Sequence, residues 1–425
     1  MDQNHRATLL REHYATLHSF WESVLERTGY CAILLGAGHQ RFFFHDDQGP
    51  AFRPNPLMVQ WLAQEKISEN SWFIFAKGTD PILFFHQPDD FWHAATTAPE
   101  SLCDHLSLRV FSDLGALHTA LQDHLKQCKS GGGEIAQISE DSPAAAEGCV
   151  INPPAVIHAL HFQRACKTEY ELTSMRQASI RGARGHRAAQ QAFSSGASEF
   201  EIHLAYLKAT GMNEWQLPYG NIIAQNHHAS LLHYQYQDRQ AGEHLNSLLI
   251  DAGANVDGYA SDITRTYVGP RCYSQAAADL FAELLERMQT HQDALIDQVV
   301  PGANYVDLQA AMHQSLARIL VDTGIVQCEP EEAFNSDLTV PFCPHGLGHL
   351  LGIQVHDVGG QQLDIDGQTN PPPEPYASLR LTRPLAEDMV ITVEPGLYFI
   401  PMLLEKKRAE GAPIDWRLVE LLTPF

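Results

Sequence analysis

Two apolar runs, residues 247–252 and 260–267, flank the turn signal Asn255-Val-Asp-Gly258, and this pattern restricts the segment to an antiparallel hairpin. Asp251 lies at the end of the first run and Asp262 near the start of the second. A hairpin symmetric about residues 256 and 257 sets 251 opposite 262, and directly opposed residues share a face with Cβ atoms about 5 Å apart. Two carboxylates held that close repel each other unless a cation sits between them. A bulge at Gly258 would shift the register by one and separate the two faces. In that case Asp251 caps a strand and Asp262 is solvated, so the shared face is an expectation that the structure must test.

A second constellation follows in His345-Gly-Leu-Gly-His349-Leu-Leu-Gly-Ile-Gln-Val-His356-Asp-Val-Gly-Gly. Imidazole nitrogen ligates Zn, Mn, Fe or Co, and glycines let the backbone approach a metal or substrate closely. The zincin pattern His-Glu-x-x-His is absent. Gly346-x-Gly348 lacks a third glycine at dinucleotide-fingerprint spacing, and there is no Walker loop or Gly-x-Ser-x-Gly elbow. The run Met389-Val-Ile-Thr-Val-Glu394-Pro-Gly396 reads as a buried strand stopped by a turn. A carboxylate at the end of such a strand needs a partner, which a metal or an arginine would supply equally well. His233, in Leu231-Leu-His233-Tyr234, reads either as a site residue or as an ordinary core histidine. Arg380 suits a carboxylate ligand or a surface ion pair.

A chain of 425 residues exceeds one ordinary core and points to two domains. The flexible break Lys129-Ser-Gly-Gly-Gly133 and the polar, Ala-rich stretch ending at Pro153-Pro154 place the boundary near 155–160, giving domains 1–157 and 158–425. Helical periodicity at 9–26, 112–126, 199–210, 274–299 and 305–323 alternates with strand-like runs at 31–36, 72–76 and 82–86. Thr168-Glu-Tyr-Glu171 fits a capping box. The expected class is α/β (α+β) with a mixed sheet. A formal net charge of −23 argues against nucleic acid and anionic membranes as partners. Eight scattered cysteines without a Cys-x-x-Cys pair read as free thiols, and the polar residues 1–11 give no signal-peptide pattern, so a cytoplasmic protein is expected.

In combination, Tyr219-Gly-Asn-Ile-Ile-Ala224, His233-Tyr234, Asp251-x10-Asp262, the 345–360 motif and Glu394-Pro-Gly resemble the pita-bread metallopeptidases over residues 158–425. Asp46-Asp47, Phe52, Asn55-Pro56, Trp61, Trp72 and Phe91-Trp92-His93 resemble the bacterial Xaa-Pro dipeptidase (prolidase) branch, which includes the organophosphorus acid anhydrolases. The resemblance implies a curved, mixed C-terminal sheet and two divalent metal ions, Mn²⁺ foremost with Co²⁺ or Zn²⁺ as alternatives. It implies Asp251, Asp262, His349 and Glu394 as metal ligands. Glu394 would also shuttle a proton, and His233, His345 and His356 would act in catalysis at the substrate. Arg380 would hold the proline carboxylate and Tyr219 would shape the pocket. Asp47 would reach the substrate amine from a partner subunit of a homodimer, or else is a solvated loop acid. The implied activity is hydrolysis of Xaa-Pro dipeptides by a metal-activated hydroxide, with organophosphate triesters as side substrates.

The prolidase pattern continues beyond a Lys-Pro-Phe-like tripeptide into Gly-Gly-Ile-Arg-Ile-Glu-Asp, whose glutamate would bridge both metals. The sequence here reads Leu421-Leu-Thr-Pro-Phe425, and Glu420 lies before that position. The expectation is therefore a site short of its last bridge, with a catalytically impaired or non-catalytic pita-bread binding protein as the alternative.

Overall fold

The computed structural model describes residues 3–63, 67–92, 96–99, 105–140 and 148–425; His93 and Cys103 lie outside the described residues. The chain forms two units. One comprises Met1–Ser174 with Val256–Tyr259 and Asp364–Gln368, and the other comprises the remainder.

The first unit contains α1 (Gln3–Thr28), β1 (Ala32–Gly36), α2 (Pro56–Leu62), β2 (Trp72–Ala76), β3 (Ile82–His86), β4 (Ser107–Phe111), α3 (Leu114–Lys129), β5 (Ile135–Ile138), β6 (Cys149–Ile151) and α4 (Pro154–Arg164). Its six strands lie in the order β4-β3-β2-β1-β5-β6. The sheet is mixed, since β1 runs antiparallel to β2 and parallel to β5. Strands such as Ala-Ile-Leu-Leu-Gly are apolar on both faces and must be covered on both. Leu117, Leu121 and Leu125 of α3 cover Leu34, Ile74 and Phe84. Phe73 and Phe75, which alternate with Ile74 and so face the other way, meet Trp21 and Trp61.

The following helix, α5 (Glu169–Ser194), starts at the expected capping box. Thr168 N–H donates to Glu171 Oε2 at 2.8 Å, and Glu171 N–H donates to Thr168 Oγ1 at 3.4 Å. Next come α6 (Glu199–Thr210), β7 (Ile222–Gln225), β8 (Leu245–Asp251), β9 (Asn255–Val256), β10 (Tyr259–Ala260), β11 (Thr264–Arg271), α7 (Gln275–Ile296) and α8 (Tyr305–Asp322). In the second unit, β8 lies between β7 and β11, antiparallel to both. Ile250 and Leu248 join Phe193, Ile202, Tyr206 and Ile223 in a buried cluster beneath this sheet. The seven described cysteines are free. No described helix is long and apolar enough to cross a membrane.

Two local expectations are corrected. The hairpin turns at Asp257 and Gly258, both at positive φ (56° and 94°), the two-residue geometry that Asp-Gly favours. Asp251 therefore opposes Thr264 rather than Asp262. The offset is two residues, an even number, so Asp262 keeps the face of Asp251. The segment ending at Glu394 is extended but half-buried and irregular, not a buried strand. It pairs through Val390 O with Leu351 N–H (2.9 Å), Thr392 N–H with His349 O (3.0 Å) and Glu394 N–H with Leu347 O (2.9 Å). The glycines of the 345–352 motif let the backbones meet without a regular ladder.

Candidate metal centre

β8 ends on Asp251, and the returning chain carries Asp262 back along the same face. The Tyr219 hydroxyl spans both carboxylates, at 2.6 Å from Asp251 Oδ1 and 2.8 Å from Asp262 Oδ1. A Cβ on Gly253 would lie 2.7 Å from the Tyr219 ring and 2.1 Å from the Ser261 carbonyl, so only glycine allows this approach. His349 Nε2 lies 3.5 Å from Asp262 Oδ2 and 3.3 Å from Glu394 Oε1. Its Nδ1 is turned to the Leu350 carbonyl at 2.9 Å. That bond assigns the proton to Nδ1 and leaves Nε2 free as a ligand atom. Thr392 ties the pieces together: Oγ1 accepts from His349 N–H at 2.9 Å and donates to Glu394 Oε1 at 2.8 Å.

The other candidates divide. His356 sets its ring edge-on to His349, centroids 4.4 Å apart. His345 meets Tyr398 edge-on at 5.5 Å, with Cys343 Sγ 3.9 Å from its Nε2. Arg380 is exposed on the 379–383 segment, close enough for its charge to act on His356. His233 stands exposed on the turn after residues 226–230, and no hydrogen bond joins it to the carboxylates. Asp47 is exposed in the first unit, where Gln48 Nε2 donates to it at 3.2 Å. Sequence reasoning missed Thr392, although its two-residue spacing from Glu394 in an extended run puts both on one face.

Electrostatics mark the cluster as short of positive charge. Burial, then the facing Asp262, raises the Asp251 carboxyl well above the usual range. Burial and both carboxylates raise the Tyr219 hydroxyl. For His349 burial is opposed and outweighed by Asp262 and Glu394, which push the imidazole up to about 10. Burial, His349 and Arg380 hold His356 down at about 4.

Residues 173–417 match the profile of metallopeptidase family M24, and residues 8–162 match that of the Xaa-Pro dipeptidase N-terminal domain. The chain belongs to metallopeptidase family M24. It is 38% identical over 428 residues to an Xaa-Pro dipeptidase of Stenotrophomonas maltophilia (strain R551-3), covering 100% of this chain and 94% of the relative. It is 41% identical over 427 residues to an Xaa-Pro dipeptidase of Pectobacterium carotovorum subsp. carotovorum (strain PC1), covering 99% and 93%. Among solved structures it is similar to Pseudomonas aeruginosa aminopeptidase PepP, with a TM-score of 0.72 at 20% identity over 99% of this chain and 98% of that one. It is also similar to zinc-substituted Escherichia coli aminopeptidase P in complex with product (TM-score 0.69, 21% identity, 91% and 87% coverage). At these identities the structural likeness shows the shared fold.

The residues of this M24 chain fit divalent cations. Three carboxylates and one imidazole form a hard to borderline donor set. The Tyr219 hydroxyl between the aspartates and His349 Nε2 between Asp262 and Glu394 mark where positive charge would be placed. Among the described residues, a tighter trio of ligand atoms, within 4.8 Å of one another, is Glu199, His228 and Asp238. Its buried member, Glu199, is already satisfied. Gln225 N–H and His228 Nδ1 meet Glu199 Oε1 at 2.7 and 2.8 Å, while Tyr234 Oη and Asp238 N–H donate to Oε2, both at 2.7 Å. Each carboxylate oxygen has two acceptor positions, and all four are filled. Glu199 fastens residues 225–238 instead of offering a ligand.

The raised His349 sets the sign of a pH dependence. The imidazolium pairing stabilises the metal-free fold fully below the unfolded value of about 6.5 and is lost as pH rises toward about 10. A cation must displace that proton, so metal affinity rises with pH and binding near pH 7 releases protons. Calorimetric titration with Mn²⁺ in two buffers of different ionisation enthalpy is expected to show net proton release at pH 7. A release of zero would contradict the arrangement.

Proposed function

We propose that the chain is an Xaa-Pro dipeptidase that hydrolyses dipeptides with a C-terminal proline. The observation that carries this reading is the similarity along essentially the whole chain, both units included, to Xaa-Pro dipeptidases. The convergence of Asp251, Asp262, His349 and Glu394 on one cluster supports it.

Asp251, Asp262, His349 and Glu394 would hold two divalent ions, in our reading Mn²⁺. When bound, such a pair supplies a water activated as nucleophile near neutral pH and charge stabilisation for the developing oxyanion. The chain's own residues do the rest. Glu394, its side chain 37% exposed against 14% for Asp262, is the carboxylate placed to pass a proton between water and the leaving proline nitrogen. Thr392 holds one Glu394 oxygen and so fixes its orientation. His356, kept neutral, and His345 line the reacting side and offer hydrogen bonds to the tetrahedral oxygen. Arg380 binds the proline carboxylate and limits the substrate to a free C-terminus.

The test is hydrolysis of Ala-Pro by the purified chain with and without Mn²⁺. Metal-dependent release of proline is expected, and a folded, metal-loaded chain without it would sink the reading. The Arg380 assignment has its own consequence. Loss of a hydrogen bond to a charged group costs roughly 1.5–3 kcal/mol, so Arg380→Ala is expected to raise KM for Ala-Pro roughly 10- to 100-fold. Hydrolysis of Ala-Pro-amide, which lacks the carboxylate, should change little. Equal losses on both substrates would remove Arg380 from this role.

A further inference from the structure

α8 carries two buried polar side chains on its apolar face, Gln309 (1% exposed) and His313 (3% exposed), one helical turn apart. Gln309 Oε1 accepts from the Leu347 N–H at 2.5 Å. Its Nε2 faces His313 Nε2 at 3.1 Å, and His313 Nδ1 meets Thr339 Oγ1 at 2.9 Å. The His313 ring is stacked on Tyr376, centroids 5.4 Å apart and nearly parallel at 6°. Leu347 lies midway between His345 and His349, and its carbonyl accepts from Glu394 N–H at 2.9 Å. Tyr305, one turn before Gln309 on the same helix, donates to the Thr392 carbonyl.

We propose that Gln309 and His313 form a positioning relay that holds the Leu347 backbone, and through it His349 and Glu394, in the geometry required for metal binding. This rests on the reading of His349 and Glu394 as ligands. A carboxamide has one accepting and one donating end. With Oε1 committed to Leu347 N–H, Nε2 must donate, and His313 Nε2 must be the bare acceptor. The His313 proton then sits on Nδ1 and goes to Thr339 Oγ1. A flipped carboxamide would set its NH₂ against the Leu347 N–H, donor against donor, and its oxygen against the bare His313 Nε2, acceptor against acceptor. Each member has one arrangement that satisfies all bonds, so the relay locks the amide and the amide locks the backbone. Burial, which holds His313 down at about 4, keeps the ring neutral and the chain of bonds intact. A buried polar pair with no task would be replaceable by apolar residues at little loss, and this pair spends its only free acceptor on the peptide between two histidines of the site.

The relay makes two separable statements. First, His313 is the Nδ1–H tautomer, which the ¹⁵N spectrum of histidine-labelled protein reads directly, with the signal assigned by its loss in His313→Gln. Second, Gln309→Met, which keeps length and removes the acceptor, weakens Mn²⁺ binding and lowers kcat on Ala-Pro by roughly 10- to 100-fold, while KM moves far less. Leu316→Ala, a core truncation on the same helix (0% exposed), serves as the structural control. It should lower the melting temperature at least as much and leave the Mn²⁺ dissociation constant unchanged. The inference is overturned by an Nε2–H tautomer in the parent chain, by unaltered metal affinity in Gln309→Met, or by an equal loss of affinity in Leu316→Ala. Neither the titration nor the imidazole spectrum requires peptide hydrolysis, so failure of the dipeptidase reading would be seen separately.

Discussion

Asp262→Asn is expected to abolish Mn²⁺-dependent hydrolysis of Ala-Pro while leaving a folded chain. Asp262 is the residue shared by both halves of the cluster: Oδ1 takes the Tyr219 hydroxyl and Oδ2 faces His349. Removing one partner from a buried set of charges costs roughly 3–5 kcal/mol, which corresponds to a loss of roughly 10²- to 4 × 10³-fold in metal affinity. The neighbouring substitution separates binding from stability. Asp251 is the carboxyl that burial and Asp262 push up, so its charge opposes folding in the metal-free chain. For an acid with a raised folded value, stability falls as pH climbs from the unfolded range of about 3.9. Asp251→Asn is therefore expected to lose metal affinity and yet melt at a higher temperature in chelator above neutral pH, by on the order of 1 kcal/mol. Thermal unfolding in EDTA and in Mn²⁺ measures both signs. A destabilised metal-free Asp251→Asn would show that the two carboxylates do not oppose each other as described.

Gly348→Ala is expected to damage the second unit's site through a single added methyl group. The added Cβ would fall 2.2 Å from the Thr392 carbonyl, 2.6 Å from the Tyr305 hydroxyl and 2.7 Å from Thr392 Oγ1. Two of these belong to the residue that orients both His349 and Glu394. The neighbour cannot swing away, because its carbonyl is backbone. Overpacking of this kind costs about 1–3 kcal/mol or more, and here the displacement is transmitted to two candidate ligands. The expected result is a lowered melting temperature together with at least a roughly tenfold weaker Mn²⁺ affinity. Gly131→Ala, where nothing lies within 4 Å of the added methyl, provides the neutral comparison. A Gly348→Ala chain that binds Mn²⁺ normally would mean that Thr392 does not set the ligand geometry.

Much of the architecture could be read from pattern. The helix starts at Thr168 and Ser274, the apolar strands at 32–36, 72–76 and 82–86, and the turn at Asn255-Val-Asp-Gly258 rest on local rules of capping, alternation and positive φ, and the structure follows them. The register of the hairpin was less legible. The turn centre moved from 256–257 to 257–258 because both Asp257 and Gly258 adopt left-handed backbone, and only the evenness of the resulting offset kept Asp251 and Asp262 on one face. The segment before Glu394 carries the apolar composition of a strand, yet its pairing partner is glycine-rich and irregular, so no periodic rule described it.

Residue types and spacing offered candidate side chains for a cation, and the family resemblance narrowed them, because carboxylate and imidazole chemistry is local to the residue. Spacing alone could not show that the Tyr219 hydroxyl bridges the two aspartates. Nor could it show that Thr392 couples His349 to Glu394, or that Gln309 reaches from α8 to the peptide between the histidines. Apart from the Thr392–Glu394 bond, those contacts join positions between 32 and 43 residues apart. Their geometry depends on how helix, hairpin and glycine-rich loop pack against one another. Gln309 and His313, four apart on the apolar face of α8, are buried polar groups of that packing. A buried polar group needs a partner, but only the tertiary structure decides which one it meets.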